Sequence, residues 1–119
     1  MPKGSRGGEK VKGATAAKSS LQKDMNKLER AGFKYTGNGT WELDVPGIGG
    51  AQILDETGST EALRMGLMPD QKLYSMIYWD DTGNTAADRQ YFDTLNNAKY
   101  SAKNGLAIWL EDDYNRGKR

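Results

Sequence analysis

The chain has 119 residues, of which 36% are hydrophobic and 15 are glycine, and its net charge is +1. This length suits one domain, because a single hydrophobic core typically serves about 100–150 residues. The absence of cysteine and histidine excludes disulfides, thiol nucleophiles and histidine-based catalysis or metal binding. No residue pattern indicates a cofactor, so none is expected.

Neither a membrane span nor a secretory signal is visible in the sequence. No apolar run approaches the roughly 18 residues that cross a bilayer. The first residues are charged and glycine-rich, without the apolar stretch of a signal peptide. We therefore expect an intracellular protein, in the cytoplasm or, if a phage encodes it, in the host cytoplasm.

The charges are unevenly divided along the chain. Residues 1–31 carry eight Lys or Arg against three Asp or Glu, a balance of +5, and residues 32–113 carry six against thirteen, a balance of −7. The last six residues add three cations and no acid. We expect a disordered, basic, glycine-rich arm at 1–13, a single domain at 14–113 and a basic polar tail at 114–119.

The first part of the domain is predicted to be a helix followed by a β-hairpin. Residues 19–31 carry a narrow apolar stripe at helical spacing, and Gly32 follows as a stop signal. The Gly-Asn-Gly at 37–39 supplies the residues that a tight hairpin turn needs. In the strand after it, 40–45, apolar residues alternate with acids, which predicts one buried and one exposed face.

A glycine cluster then joins this strand to the next one. Gly47, Gly49 and Gly50 lead into Ala51–Leu54, which has the pattern of a strand, whereas a phosphate-binding loop leads into a helix. We therefore interpret residues 46–50 as a bend between two strands. Such a loop can also act as a recognition surface. In that case Ile48, a bulky apolar residue among glycines, is the candidate anchor.

The second half of the domain is predicted to complete the sheet around one long helix. A short helix capped by Ser59 precedes an apolar strand at 72–79, which we place centrally. Apolar residues at helical spacing predict the long helix over 84–104, and a last strand follows at 106–111. The predicted fold is α+β: a mainly antiparallel sheet of four or five strands, with the long helix packed on one face and the 19–31 helix docked more loosely.

The acidic residues of the domain suggest how it engages a partner. The leading hypothesis is a non-enzymatic binding protein whose acidic body engages a basic surface of a protein partner, since complementary charge gives specificity without chemistry. Small phage-type inhibitors of nucleic-acid-handling enzymes offer an analogy of class. The residues expected to form this acidic surface are Asp55, Glu56, Asp80, Asp81, Glu111, Asp112 and Asp113.

Two other functions stay open. The first is nucleic-acid binding by the basic arm and the first helix, because clustered cations neutralise phosphates; the cations are Lys3, Arg6, Lys10, Lys12, Lys18, Lys23, Lys27 and Arg30. The second is a small metal-dependent enzyme that uses carboxylates at the ends of strands. No catalytic or metal-binding residue can be singled out for it, because turns and helix caps also favour aspartate.

Overall fold

The structure, a computed structural model, describes residues 20–119. The elements in chain order are helix α1 (20–30), strands β1 (Lys34–Gly37), β2 (Thr40–Val45) and β3 (Gly49–Asp55), helix α2 (Thr60–Arg64), strands β4 (Tyr74–Asp80) and β5 (Gln90–Phe92), and helix α3 (Leu95–Asn115). The strands form one antiparallel sheet in the order β1-β2-β3-β4-β5. The predicted α+β class with a mainly antiparallel sheet is confirmed, and the arm at 1–13 lies outside the described residues.

The core lies between one face of the sheet and the two longer helices. Alternation along the strands places Leu43 opposite Ala51 and Ile53 opposite Met76, and all four side chains are buried. Helix α1 contributes Leu28, which is only 3% exposed. Helix α3 covers the same face with side chains at helical spacing, namely Ala98, Ala102, Leu106 and Leu110.

The long helix lies further along the chain than predicted: it spans Leu95–Asn115, not 84–104. Residues 84–92 run back beside β4, and Gln90–Phe92 pair with it as β5. The helix begins only after Thr94, whose hydroxyl accepts a hydrogen bond of 3.1 Å from the backbone N–H of Asn97. The backbone of residues 90–92 therefore pairs with β4 in the sheet, and this pairing outweighs the helical spacing of the side chains.

Gly105, which directly follows the predicted end of the helix, lies inside α3 and makes a close contact. A Cβ at this position would lie 2.4 Å from Cζ of Tyr78, so only glycine lets the helix approach the β4 ring this closely. On its other side the ring packs against Trp109, at 4.7 Å between ring centroids. The predicted last strand at 106–111 is consequently wrong, because these residues continue the buried stripe of α3. The fifth strand is β5.

The glycine cluster enters a strand, as predicted, through a tight turn. The backbone N–H of Ile48 donates to the carbonyl of Val45 at 2.9 Å, with Pro46 and Gly47 at the central positions. Gly47 has a φ of +82°, which is the conformation that the third residue of a type II turn requires. The turn therefore connects β2 directly to β3.

Candidate functional site

The seven acids predicted to form one surface lie at two opposite ends of the sheet. Asp80 pairs with Gly49 at the start of β3, whereas Asp55 pairs with Tyr74 at its end. Six residue steps of about 3.4 Å separate these two pairs, a distance of roughly 20 Å. Antiparallel pairing is the cause, because successive strands finish at opposite edges. We call the end with Asp80, Asp81, Glu111, Asp112 and Asp113 the acidic end, and the end with Asp55 and Glu56 the opposite end.

The acidic end contains an open cleft of about 390 Å³ between the β4–β5 turn and the last turns of α3. Helix α3 runs back along the sheet from β5, which brings its final turns beside Asp80 and Asp81. Glu111 and Asp112 are exposed on these turns. The residues that line the cleft are Asp80, Asp81, Thr82, Asn84, Asp113, Lys118 and Arg119.

Asp80 organises the turn that forms one wall of the cleft. Its Oδ1 accepts hydrogen bonds from the N–H and hydroxyl of Thr82, at 2.9 and 2.8 Å, and from the N–H of Asn84 at 2.9 Å. Its Oδ2 accepts from Nδ2 of Asn84 at 3.1 Å. Burial alone would raise the pKa of this carboxyl, but these hydrogen bonds together hold the pKa below the ordinary value of an aspartate. Asp80 is therefore ionised at neutral pH and fixed in orientation.

Three carboxylates converge on the guanidinium of Arg119. The nitrogen–oxygen distances are 3.3 Å to Asp81, 3.7 Å to Asp24 and 4.0 Å to Asp113. Arg119 also donates to the carbonyl of Gly47 in the β2–β3 turn. At the acidic end, three carboxylates and one carbonyl therefore surround a single cation. A guanidinium suits such a site because it is planar and carries five N–H donors.

Sequence reasoning missed two members of this arrangement. Arg119 belongs to the segment predicted to be a polar tail, and Asp24 lies on α1, far away along the chain. The hydroxyl of Tyr114 donates to Asp24 at 2.9 Å; burial first, and then this carboxylate, raise the pKa of Tyr114. No pattern among neighbouring residues predicts these contacts, because they join α1 to α3, two helices that are far apart in the sequence.

The arrangement does not favour the metal-dependent alternative. Within residues 20–119, no three acids come together in a group that could hold a metal ion. Asp55 and Asp80 finish antiparallel strands at opposite ends, and Glu111 lies on a helix and not at a strand end. Parallel strands would have gathered their strand-end carboxylates at one end of the sheet, and the strand-end carboxylates of this part of the chain are not gathered in that way.

Ile48, the candidate anchor of the glycine-rich loop, faces the interior. It is 4% exposed and belongs to the hydrophobic core. The turn at Pro46–Gly47 directs its side chain into this core. A buried side chain is not available to a partner pocket, so Ile48 is left out of the candidate interface. The structural interpretation of the loop is the one that its burial favours.

The cations considered for nucleic-acid binding are only partly within the described residues. Lys3, Arg6, Lys10, Lys12 and Lys18 lie outside them. On α1, Lys23, Lys27 and Arg30 are all exposed, and Nζ of Lys27 donates to the carbonyl of Pro46. Acids share the helix, since Asp24 lies beside Lys23. Nucleic-acid binding through this region stays a prediction.

None of the helices in residues 20–119 has both the length and the apolar character needed to cross a lipid bilayer.

In comparisons with known proteins, the chain matches no family model, no curated protein and no solved structure.

Proposed function

We propose that this protein is a small non-enzymatic binding protein whose acidic end engages a basic surface of a protein partner. The observation that carries the proposal is that Glu111 and Asp112 are exposed at the end where Asp24, Asp81 and Asp113 already hold the guanidinium of Arg119. A surface that holds one arginine of its own has the donor-accepting geometry to meet those of a partner. Small phage-type inhibitors of nucleic-acid-handling enzymes offer an analogy of class for this proposal.

The charge that a partner would meet first comes from the end of α3. Glu111 and Asp112 are exposed there, and Asp80 is held in its ionised form by its turn. Exposed charges of one sign accelerate the encounter with a surface of the opposite sign and discriminate against other partners. Asp81 and Asp113 contribute less, because Arg119 already compensates them.

Acid–base catalysis fits this end less well than binding does. A carboxylic acid that donates a proton near neutral pH needs a raised pKa, and the hydrogen bonds of Asp80 lower its pKa instead. The sequence also supplies neither histidine nor cysteine as a substitute. A fixed carboxylate that is ionised at neutral pH suits electrostatic recognition better than proton transfer.

The test is the binding of a fluorescein-labelled, arginine-rich peptide without apolar side chains, followed by fluorescence polarisation at low and at high salt. We expect Glu111→Lys/Asp112→Lys to weaken binding about fivefold or more at low salt, which corresponds to ~1 kcal/mol. The variant should fold, because cations near a helix C-terminus are favourable. The matched control is Glu42→Lys/Asp88→Lys, which changes two exposed acids elsewhere by the same charge. Equal losses in both variants would mean that only net charge matters, and the acidic end would then not be the interface.

A further inference from the structure

The segment between β3 and β4 is much longer than the connection requires. These strands are antiparallel neighbours, which a turn of about 2–5 residues can join. Here the chain instead runs for 18 residues, from Glu56 to Leu73, before it re-enters the sheet. Most connections in compact domains have about 4–6 residues, and this one is long enough to contain helix α2. We call residues 56–73 the β3–β4 excursion.

Hydrogen bonds order the excursion from end to end. Its two ends are tied together, because the N–H of Glu56 donates to the carbonyl of Leu73 at 2.8 Å and the N–H of Leu73 donates to the hydroxyl of Thr57 at 3.1 Å. At the start of α2, the hydroxyl of Ser59 accepts from the N–H of Ala62 at 3.1 Å. The excursion therefore holds a defined shape, which reduces the entropy that a partner's binding would cost.

The end of α2 is closed as firmly as its start. The N–H of Leu67 donates to the carbonyl of Ala62 at 3.1 Å, and that of Gly66 donates to the carbonyl of Leu63 at 3.0 Å. This pair of bonds is a Schellman motif, with Gly66 at a φ of +85°. The motif fixes the direction in which the chain leaves the helix towards Met68.

Three large apolar side chains of this ordered segment face solvent. Leu63 is 50% exposed, Met65 is 48% exposed and Met68 is 65% exposed, whereas Ala62 and Leu73 of the same segment are buried. The buried pair anchors the excursion, so the exposed three are not needed to hold it in place. Methionine adapts its shape to different apolar surfaces, and it is frequent at surfaces that bind helices.

The charges around these side chains favour one kind of occupant. Residues 56–73 contain three acids and two cations, namely Glu56, Glu61 and Asp70 against Arg64 and Lys72, and the exposed Asp55 precedes them at the end of β3. A second copy of this chain would bring the same negative balance against itself, and like charges in an interface are unfavourable. A partner segment with apolar side chains bordered by Lys or Arg would cover the exposed apolar side chains of the excursion and would also meet its negative charge.

From these observations we propose that the β3–β4 excursion is a docking surface for an amphipathic basic helix of a partner protein, with Leu63, Met65 and Met68 as its apolar contacts. It lies at the opposite end of the sheet from the acidic end. It is therefore a second interaction surface, and it does not depend on the proposed function of the first.

The experiment uses the full chain labelled with carbon-13 at the methionine methyl groups. The probe is a helical peptide of about 18 Leu and Lys residues, with all leucines on one face. We expect the methyl signals of Met65 and Met68 to shift saturably as the peptide is added. Those of Met76, which is fully buried, and Met25, which is half-buried on α1, serve as internal references that stay in place.

Two control peptides and two variants sharpen the test. A Leu–Glu peptide, and a Leu–Lys peptide with leucines spread around the helix, should each bind at least about fivefold more weakly. Leu63→Ser/Met68→Ser should lose a similar factor. The matched variant Tyr100→Ser/Ile108→Ser removes apolar side chains of α3 that are 73% and 52% exposed, and it should bind like the parent chain.

Four results would overturn the proposal. They are the absence of any shift up to millimolar peptide, equal shifts of the methyl signals of Met25, Met65, Met68 and Met76, equal losses in the two variants, and a concentration-dependent shift of Met65 and Met68 without peptide, which would identify a second copy as the occupant. Because the probes and variants leave Glu111 and Asp112 unchanged, failure here is separate from failure of the acidic end to bind arginine-rich peptides.

Discussion

Gly47 in the β2–β3 turn and Gly50 in β3 are glycines for different physical reasons, and this difference can be measured. Gly47 has a φ of +82°, but the space around a Cβ would be open. Gly50 carries no such backbone constraint. A Cβ there would lie 2.6 Å from the carbonyl oxygen of Leu43 and 2.9 Å from Nε1 of Trp79. Gly47 is thus required by conformation and Gly50 by space.

The expected costs follow from these causes. Gly47→Ala should lower the free energy of unfolding by about 1 kcal/mol, which is the cost of a left-handed conformation for a residue with a Cβ. Gly50→Ala should cost about 3 kcal/mol, because the oxygen it meets belongs to the β2–β3 ladder and the backbone must move. Gly47→Asn should cost less than Gly47→Ala, since asparagine tolerates this conformation, whereas Gly50→Asn should be at least as harmful as Gly50→Ala.

The assay is equilibrium unfolding in urea, followed by circular dichroism and by tryptophan fluorescence so that two-state behaviour is checked. Thermal midpoints should fall by about 4 °C per kcal/mol for a domain of this size. Equal costs for the two alanine variants would contradict the reasoning. A recovery with asparagine at position 50 would also contradict it, because asparagine relieves conformational strain and cannot relieve a steric clash.

Three further predictions concern other parts of the molecule. Gly105→Ala should lower the free energy of unfolding by about 1–3 kcal/mol because the added Cβ meets the Tyr78 ring, although alanine itself favours helices by about 1 kcal/mol. In a Tyr78→Leu background, where the ring is gone, the same change should raise the free energy of unfolding measured in urea. Hydrogen bonds within its turn outweigh burial and hold the pKa of Asp80 below 3.8. The ionised carboxylate therefore adds stability that is present above the unfolded-state pKa and lost as pH falls through the folded-state pKa, and Asp80→Asn should show a smaller drop in thermal midpoint than the parent chain between about pH 5 and pH 3. If the basic arm binds nucleic acid, deletion of residues 1–13 should lower affinity and flatten its salt dependence, whereas the lack of any band shift by the intact chain at low salt would remove this hypothesis.

Local signals in the sequence were sufficient where the structure depends on neighbouring residues. The Gly-Asn-Gly turn at 37–39 predicts the first hairpin, because its residues have the positive φ values of +100°, +53° and +69° that such a turn needs. Ser59 predicts the start of α2 for a similarly local reason, since its hydroxyl accepts a hydrogen bond from the helix it caps. Both predictions concern contacts within a few residues.

The errors arose where distant contacts decided the outcome. Asn104-Gly105 has the pattern of a helix end, but Gly105 is small because the ring of Tyr78 presses on it from another element. Residues 87–92 share the apolar spacing of a helix, and yet pairing with β4 holds 90–92 as a strand. Once Gly105 is read as a contact and not as a stop, the stripe at Ala98 and Ala102 continues through 106 and 110, which predicts α3 as it stands. The spacing was correct, and its limits were not.

The same distinction governs the acidic surface. Composition predicts that the domain is negatively charged. Strand pairing decides which acids lie at the same end of the sheet, and Arg119 lowers the net charge that a partner meets there. Because Arg119 lies within 4.0 Å of Asp24, Asp81 and Asp113, its removal should make the acidic end more negative while it weakens the contact between α1 and α3. Arg119→Gln should therefore strengthen the salt-dependent binding of the arginine-rich peptide and lower the thermal midpoint. A structural role alone would lower the midpoint and leave peptide affinity unchanged. The opposite signs of these two effects separate compensation of the surface charge from simple support of the fold.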